Sequence, residues 1–200
     1  MTEITPSLGF YRPMLLTPVK VLPTSPEWGF EPKYDGHRLI AYHTPEKTVL
    51  RTRGGNNWAD NYPSVVHALP DALQDHSAIL DGELIGLDAG GNHNLEILHS
   101  RPKRIGYCVF DILKLDGEEL IGLPLHERRK RLVEVLLPQS DIAVVDMFLG
   151  ADRLAFVEEV SQRGYEGMVA KDVGSKYHPG IRTKSWRKQM LKRHKGFKRN

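Results

Sequence analysis

The stretch Glu31-Pro32-Lys33-Tyr34-Asp35-Gly36-His37-Arg38 sets a lysine two residues before an Asp-Gly pair, and the apolar run Leu39-Ile40-Ala41-Tyr42 follows. An unprotonated lysine held at the mouth of a pocket attacks electrophilic phosphorus or carbonyl carbon. Asp-Gly is equally a hairpin signal, and in that reading Lys33 only decorates a strand. Five further clusters hold residue types of chemical use: Arg51-Thr52-Arg53-Gly54, Asp81-Gly82-Glu83, Phe110-Asp111, Glu166 to Lys171, and Trp186-Arg187-Lys188. Each has a plain structural role open to it. Arg53 can cap a turn, Glu83 can face solvent on an alternating strand, and Phe110 can fill a core. Glu166 can simply follow a helix end, and Lys188 can belong to a solvated tail. Together they supply what attack on a nucleotide α-phosphate requires. That is a lysine nucleophile, cations for the phosphoryl oxygens, carboxylates for Mg²⁺, and an aromatic face for a base.

The elements that must position these groups follow from local pattern. Pro6, Pro13, Pro18, Pro23 and Pro26 punctuate an extended lead-in over residues 1–27. Strands are predicted over Trp28 to Lys33, His37 to His43, Lys47 to Thr52, Ala78 to Leu87, Ile105 to Leu113, Ile142 to Phe148, Glu166 to Lys171 and Lys184 to Met190. Ser64 to Leu69 reads as a short helix ended near Pro70, and Leu125 to Leu137 as an amphipathic one. Asp152 is expected to cap a last helix that runs to Arg163 and stops at Gly164. Strands dominate and short turns join them, which predicts an α+β fold on antiparallel sheets with few helices packed outside. With no repeat and no internal linker, residues 1–200 are expected to form a single domain. Neither G-x-x-x-x-G-K-[ST] nor G-x-G-x-x-G occurs, so a bound nucleotide would be held by side chains.

Composition narrows the classes. Forty per cent hydrophobic and 26% charged residues describe an ordinary globular chain without a membrane-length apolar run. Met1 to Phe10 lacks the pattern of a secretory signal. The single Cys108 lies in the apolar run Tyr107-Cys108-Val109-Phe110, as expected of a buried thiol in the cytoplasm. The whole chain has 28 bases and 25 acids. Nine of the bases and none of the acids fall in residues 182–200, leaving residues 1–181 at a net −6. A local basic end of this kind fits contact with a phosphate backbone, or serves as a solubilising tail.

The ordered series Lys-x-Asp-Gly-x-Arg, Arg-x-Gly, Asp-Gly-Glu, Phe-Asp, Glu-Gly-x-x-x-Lys and Trp-x-Lys resembles the covalent nucleotidyltransferases, namely ATP-dependent DNA ligases, RNA ligases and mRNA capping enzymes. It is most similar to DNA ligases of the bacterial end-joining type. Their adenylation domains open on a segment like Pro13-Met14-Leu15 and carry Pro-Leu-x-x-Arg-Arg, here Pro124 to Arg129.

The resemblance implies an adenylation domain of two antiparallel sheets flanked by helices, ATP-grasp-like, with the nucleotide in the groove between them. It implies ATP and Mg²⁺ or Mn²⁺ as cofactors, with AMP carried covalently on Lys33. AMP would pass to a 5′-phosphate at a DNA break, and the 3′-hydroxyl would then seal it. Lys33, Asp35 and Lys188 would be the catalytic set. Glu31 would read the adenine amino edge, Phe110 stack on the base, and Arg38 and Arg53 serve the ribose and the nick. Glu83 would contact ribose or metal, Glu166 would bind metal, and Lys188 would neutralise the α-phosphate. Arg53, Arg182, Lys184 and Arg187 would meet DNA. The implied partners are nicked or broken DNA and end-joining proteins, for a monomer without membrane contact, cytoplasmic and, in a bacterium, nucleoid-associated. The alternatives are an RNA ligase, a capping-type enzyme, or a catalytically weak nick-binding module.

Two departures stand out. The last motif usually ends Lys-x-Lys, but here it reads Lys188-Gln189-Met190, and Lys192 is the candidate substitute because strand alternation returns it to the same face. Such ligases also continue into an oligonucleotide-binding domain. None is present in this sequence, so residues 1–200 are expected to be an excised adenylation domain with a basic tail at 193–200 and its partner domain supplied in cis or in trans.

Overall fold

The computed structural model describes residues 10–91, 93, 95–100, 104–150, 153–163 and 165–191. In chain order the strands are Leu15–Pro18 (β1), Trp28–Lys33 (β2), His37–Thr44 (β3), Lys47–Thr52 (β4), Ala78–Leu87 (β5), Arg104–Leu115 (β6), Glu118–Glu119 (β7), Ile142–Val144 (β8), Phe148–Leu149 (β9), Gly167–Asp172 (β10) and Arg182–Met190 (β11). The α-helices are Pro63–Leu73 (α1), Leu95–His99 (α2), Leu125–Val135 (α3) and Arg153–Gln162 (α4). Two sheets result. The first runs β1-β11-β10-β2-β9, and the second runs β4-β3-β5-β6-β7 with β8 beside β6. Pairing is antiparallel except at β1 with β11 and β6 with β8, so the expected α+β architecture of two sheets with few helices is present.

Strand alternation sorts the core into layers. Odd residues Leu39 and Ala41 of β3 pack with Val65, Leu69 and Leu73 of α1 on the outer face of the second sheet. Even residues Ile40 and Tyr42 pack inward with Trp186 of β11 and Tyr177, between the sheets. On the far face of the first sheet, Phe30, Met168 and Ala170 meet Phe156 and Val160 of α4. The inner faces of both sheets thus look at one another. Their apolar packing closes one part of the gap and leaves the rest as a cleft.

Of the two readings of the Asp-Gly pair the hairpin is excluded, because β2 lies in the first sheet and β3 in the second, so residues 34–36 cross between sheets. Several expectations are corrected. The strand expected over Ile142 to Phe148 divides in the same way. Its first half pairs with β6, the Val145 amide still donates to Val109 O at 2.7 Å, and its second half joins β2. The lead-in contributes β1, held along β11. Helix α1 runs through Pro70 to Leu73: a proline in the last turn forfeits one backbone bond, while Leu69, Ala72 and Leu73 are all buried. Asp152, Gly164, Lys192 and the tail 193–200 lie outside the described residues.

Candidate active site

A cleft of about 460 Å³ lies between the inner faces and is lined from both sheets. In the first sheet, alternation brings every second residue to it, Glu31 and Lys33 of β2, Val169 and Lys171 of β10, and Trp186 and Lys188 of β11. Pairing aligns them in rows across the sheet: Lys33 with Gly167 and Met190, Glu31 with Val169 and Lys188, and Gly29 with Lys171 and Trp186. In the second sheet Arg38 of β3 pairs with Glu83 of β5, and both line the cleft. Phe110 arrives differently. Asp81 pairs with Asp111 and Gly82 with Val109, so Phe110 is the extra residue of a bulge, a device that re-aims a side chain. Here it turns the ring into the cleft.

One end of the cleft is a buried charged pocket. Glu31 is 3% exposed and faces two cations. Arg129 Nη1 donates to its Oε1 at 3.0 Å, and Lys171 Nζ lies 2.6 Å from its Oε2. The contact is a buried ion pair. The lysine nitrogen also stands 4.2 Å from the Phe110 ring centroid and 4.3 Å from that of Trp186. Burial pushes the Lys171 ammonium down from its ordinary value, with Glu31 opposing. The other end holds Lys33, whose Nζ lies 2.5 Å from Glu166 Oε2. The Glu166 amide donates to the Lys33 carbonyl at 3.1 Å, so backbone and side chain both join the two residues. Burial pushes the nearby Glu83 carboxyl up to about 7, against the pull of Arg38 and Lys33.

Arg38 is fastened beneath the cleft. It forms a fork with buried Asp81, Nε to Oδ1 at 2.9 Å and Nη2 to Oδ2 at 2.6 Å, and it donates to Met14 O at 2.6 Å. Tyr177 donates to the same Asp81 Oδ2 at 2.7 Å. The guanidinium carbon is 5.2 Å from the Phe110 centroid, so one face of Arg38 still meets the cleft.

Of the residues singled out from sequence, Glu31, Lys33, Arg38, Arg53, Glu83, Phe110, Arg182 and Lys188 converge on the cleft, with Glu166 against Lys33. Asp35 lies in the crossing that follows β2 and is not among the lining residues. Lys184 is exposed and does not line the cleft. Arg187 projects from the other face of β11, its guanidinium 4.6 Å from the Trp28 centroid. Met190, where the usual motif places a lysine, is 45% exposed in the same row as Lys33. Cys108 is buried, and burial pushes its thiol up to about 12, as suits a packing residue. Sequence reasoning assigned no role to Lys171, Trp186 or Arg129. All three stand in quoted motifs, Arg129 as the last residue of Pro124 to Arg129, and Lys171 is a cation after the apolar run Met168-Val169-Ala170, a usable signal. Nothing local marks Arg129 as a partner of Glu31.

Glu83 and Glu166 are the residues able to hold a metal. Among the described residues no cluster of three or more His, Cys, Asp or Glu groups is present. Two carboxylates offer the hard oxygen donors that suit Mg²⁺, which commonly takes one or two carboxylates and completes its shell with phosphate oxygens and water. A buried carboxyl raised as Glu83 is also fits a place that gains from an added cation.

Residues 13–189 match the family model described as ATP dependent DNA ligase domain. The multifunctional non-homologous end joining DNA repair protein LigD of Mycobacterium tuberculosis is 36% identical over 162 residues, covering 80% of this chain and 21% of that protein. The SPbeta prophage-derived DNA ligase-like protein LigB of Bacillus subtilis is 30% identical over 186 residues, 90% of this chain and 67% of its own length. Among solved structures, a mycobacterial DNA ligase D complexed with ATP and MES superposes with a TM-score of 0.77 at 32% identity, over 90% of this chain and 60% of that one. The chain spans about a fifth of the length of the mycobacterial relatives.

Proposed function

The chain belongs to the ATP-dependent DNA ligase domain family, and from that premise we propose that its cleft adenylates Lys33 and hands AMP to a broken DNA strand. The observation that carries this reading is the row structure of the first sheet. It sets Lys33, Glu31 and Lys188 on one face, with Phe110 brought in from the opposite sheet.

The two ends of the cleft suit the two ends of a nucleotide. Adenine offers an amino donor beside a ring-nitrogen acceptor. Glu31, an acceptor, beside Lys171, a donor, complements that edge, whereas the reversed edge of guanine would meet like against like. Phe110 supplies a face for stacking. At the other end the Lys33 nitrogen attacks the α-phosphorus. A P–N bond forms, the α–β bridging P–O bond breaks, and pyrophosphate leaves. Glu166 Oε2, 2.5 Å from Nζ, is placed to accept the proton that Nζ must lose. Lys188 lies one row away and would neutralise the phosphoryl oxygens. A magnesium ion held by Glu83 and Glu166 would supply further charge neutralisation at the phosphates. Asp35, outside the lining, would act by shaping the crossing that carries Lys33.

Exposed Arg53 and Arg182 stand at the mouth, where a DNA phosphate would approach, and exposed Lys184 follows two residues along β11, while Arg187, on the other face of that strand, would meet DNA outside the cleft. An oligonucleotide-binding domain, in cis or in trans, would cover the duplex from the open side, and end-joining proteins are the expected company. Among the described residues no helix is long and apolar enough to cross a membrane.

Mass spectrometry after incubation with Mg²⁺ and ATP tests the reading. The protein should gain the mass of one AMP in an acid-labile bond, and Lys33→Ala should show no gain. Nick binding without adenylate in either protein would point to an inert binding module, and labelling from GTP alone to a capping-type enzyme.

A further inference from the structure

Arg129 does more than pair with Glu31. It projects from the first turn and a half of α3, and its guanidinium reaches three separate segments. Nη1 donates to Glu31 Oε1 at 3.0 Å and to the Phe110 carbonyl at 3.2 Å, and Nη2 donates to the Val145 carbonyl at 2.6 Å. Glu31 belongs to the first sheet, Phe110 is the bulge residue of the second, and Val145 lies where the chain leaves β8 for β9. One planar fork of donors therefore fastens the carboxylate, the aromatic residue and the crossing strand at the closed end of the cleft. Its neighbour Arg128 is committed elsewhere. Arg128 forks onto Asp111 at 2.8 Å from both nitrogens and donates to the carbonyls of Leu123 and Ser175, which anchors the start of α3 and aims the next side chain.

The charge arrangement makes Arg129 the partner that leaves Glu31 usable. The carboxylate is almost wholly buried, and cationic partners offset the cost of burying it. Lys171 is one, but it lies against two aromatic rings and on the cleft face. Arg129 does not line the cleft. It holds Oε1 from outside the cleft lining and so orients a carboxylate that itself lines the cleft beside Lys171.

We infer that Arg129 is the positioning residue of the base pocket, setting the choice of purine by orienting Glu31 and the Phe110 bulge with one guanidinium. The inference rests on the adenylation reading above and deepens it. Arg129 makes no contact with the reacting phosphate in this scheme. Its removal should therefore weaken and blur nucleotide selection while the chemical step at Lys33 proceeds.

The test is Lys33 labelling by ATP and by GTP in wild type, Arg129→Lys, Arg129→Gln and Glu31→Gln, with thermal melting of each. Wild type should label from ATP, and failure there would reject the adenylation reading before Arg129 is in question. Arg129→Gln should raise the apparent KM for ATP by about tenfold or more, the scale of one charge-assisted hydrogen bond, with the saturated rate changed far less. It should also narrow the preference for ATP over GTP. Arg129→Lys should keep a melting temperature near wild type and show part of the same selectivity loss, because a single ammonium cannot span three acceptors. Combining Arg129→Gln with Glu31→Gln should cost less than the sum of the two. A folded Arg129→Lys or Arg129→Gln protein with wild-type KM and wild-type ATP:GTP ratio would overturn the inference. So would a drop confined to the saturated rate, or strictly additive effects in the double variant.

Discussion

Individual side chains in the cleft balance burial against charge, and Glu83 shows the balance most directly. Burial holds its carboxyl up to about 7, against an ordinary 4.5, even with Arg38 and Lys33 nearby. Between those values the folded protein keeps a proton that the unfolded chain has released, so stability falls as pH rises through that window. The loss is on the order of 3 kcal/mol by pH 8, at about 1.4 kcal/mol per pH unit. Glu83→Gln cannot ionise, and it should match wild type near pH 4.5 and exceed it at pH 8. Urea denaturation of both proteins at the two pH values measures this, and parallel curves would count against it. Glu31, Lys33 and Phe110 were legible as candidates because their neighbours repeat known local patterns. Lys171 and Arg129 were not given roles, because what distinguishes them is burial beside Glu31 and not the residues next to them in the chain.

At the scale of elements, strand bounds are legible in the sequence and the paths of the connections are not. The bounds of β2, β4 and β5 agree with the sequence patterns, since β-branched and apolar runs between turn signals are local properties. The Asp-Gly pair leaves the hairpin reading open in the sequence because a hairpin and a sheet-to-sheet crossing share the same turn residues. Their difference lies in what packs on the backbone. A Cβ on Gly36 would lie 2.1 Å from the Leu84 carbonyl oxygen of β5 and 3.2 Å from an Ile85 methyl. The glycine thus lets the crossing lie directly on the second sheet, which sets Lys33 relative to Arg38. Gly36→Ala should force the crossing outward and cost about 1–3 kcal/mol of stability. It should also slow AMP transfer to Lys33 at saturating ATP by about 10²-fold, because displacement of a nucleophile by about an ångström has that effect. Denaturant melts and single-turnover labelling check the two parts. A variant that is stable and fully active would show that the crossing has room to spare.

Across the whole molecule, buried ion pairs tie the layers together. Asp111 and Arg128 are both fully buried in a two-bond fork, and Arg128 also reaches Leu123 O and Ser175 O, linking the second sheet to α3 and to the loop after β10. Asp111→Ala would leave an uncompensated guanidinium in the interior and should destabilise by about 3–5 kcal/mol. Because Arg128 ties the second sheet to the loop between β10 and β11 of the first, unfolding should remain one transition, followed equally by tryptophan fluorescence and far-UV circular dichroism. Two separate transitions would mean that the sheets fold independently. The sequence by itself determined the α+β class, the strand-rich order and the motif series from Lys33 to Lys188, because each is written in short windows by residue type and spacing. Only the tertiary structure decided that Lys33 meets Glu166, 133 residues away, and that Glu31 meets Arg129, 98 residues away. It alone turned the Asp-Gly pair of the opening motif into a crossing, so that Lys33 ends a strand of one sheet and Arg38 lines the same cleft from the other. Such pairings depend on which sheet faces bury against each other, a choice made by the packing of the whole chain that no local window contains.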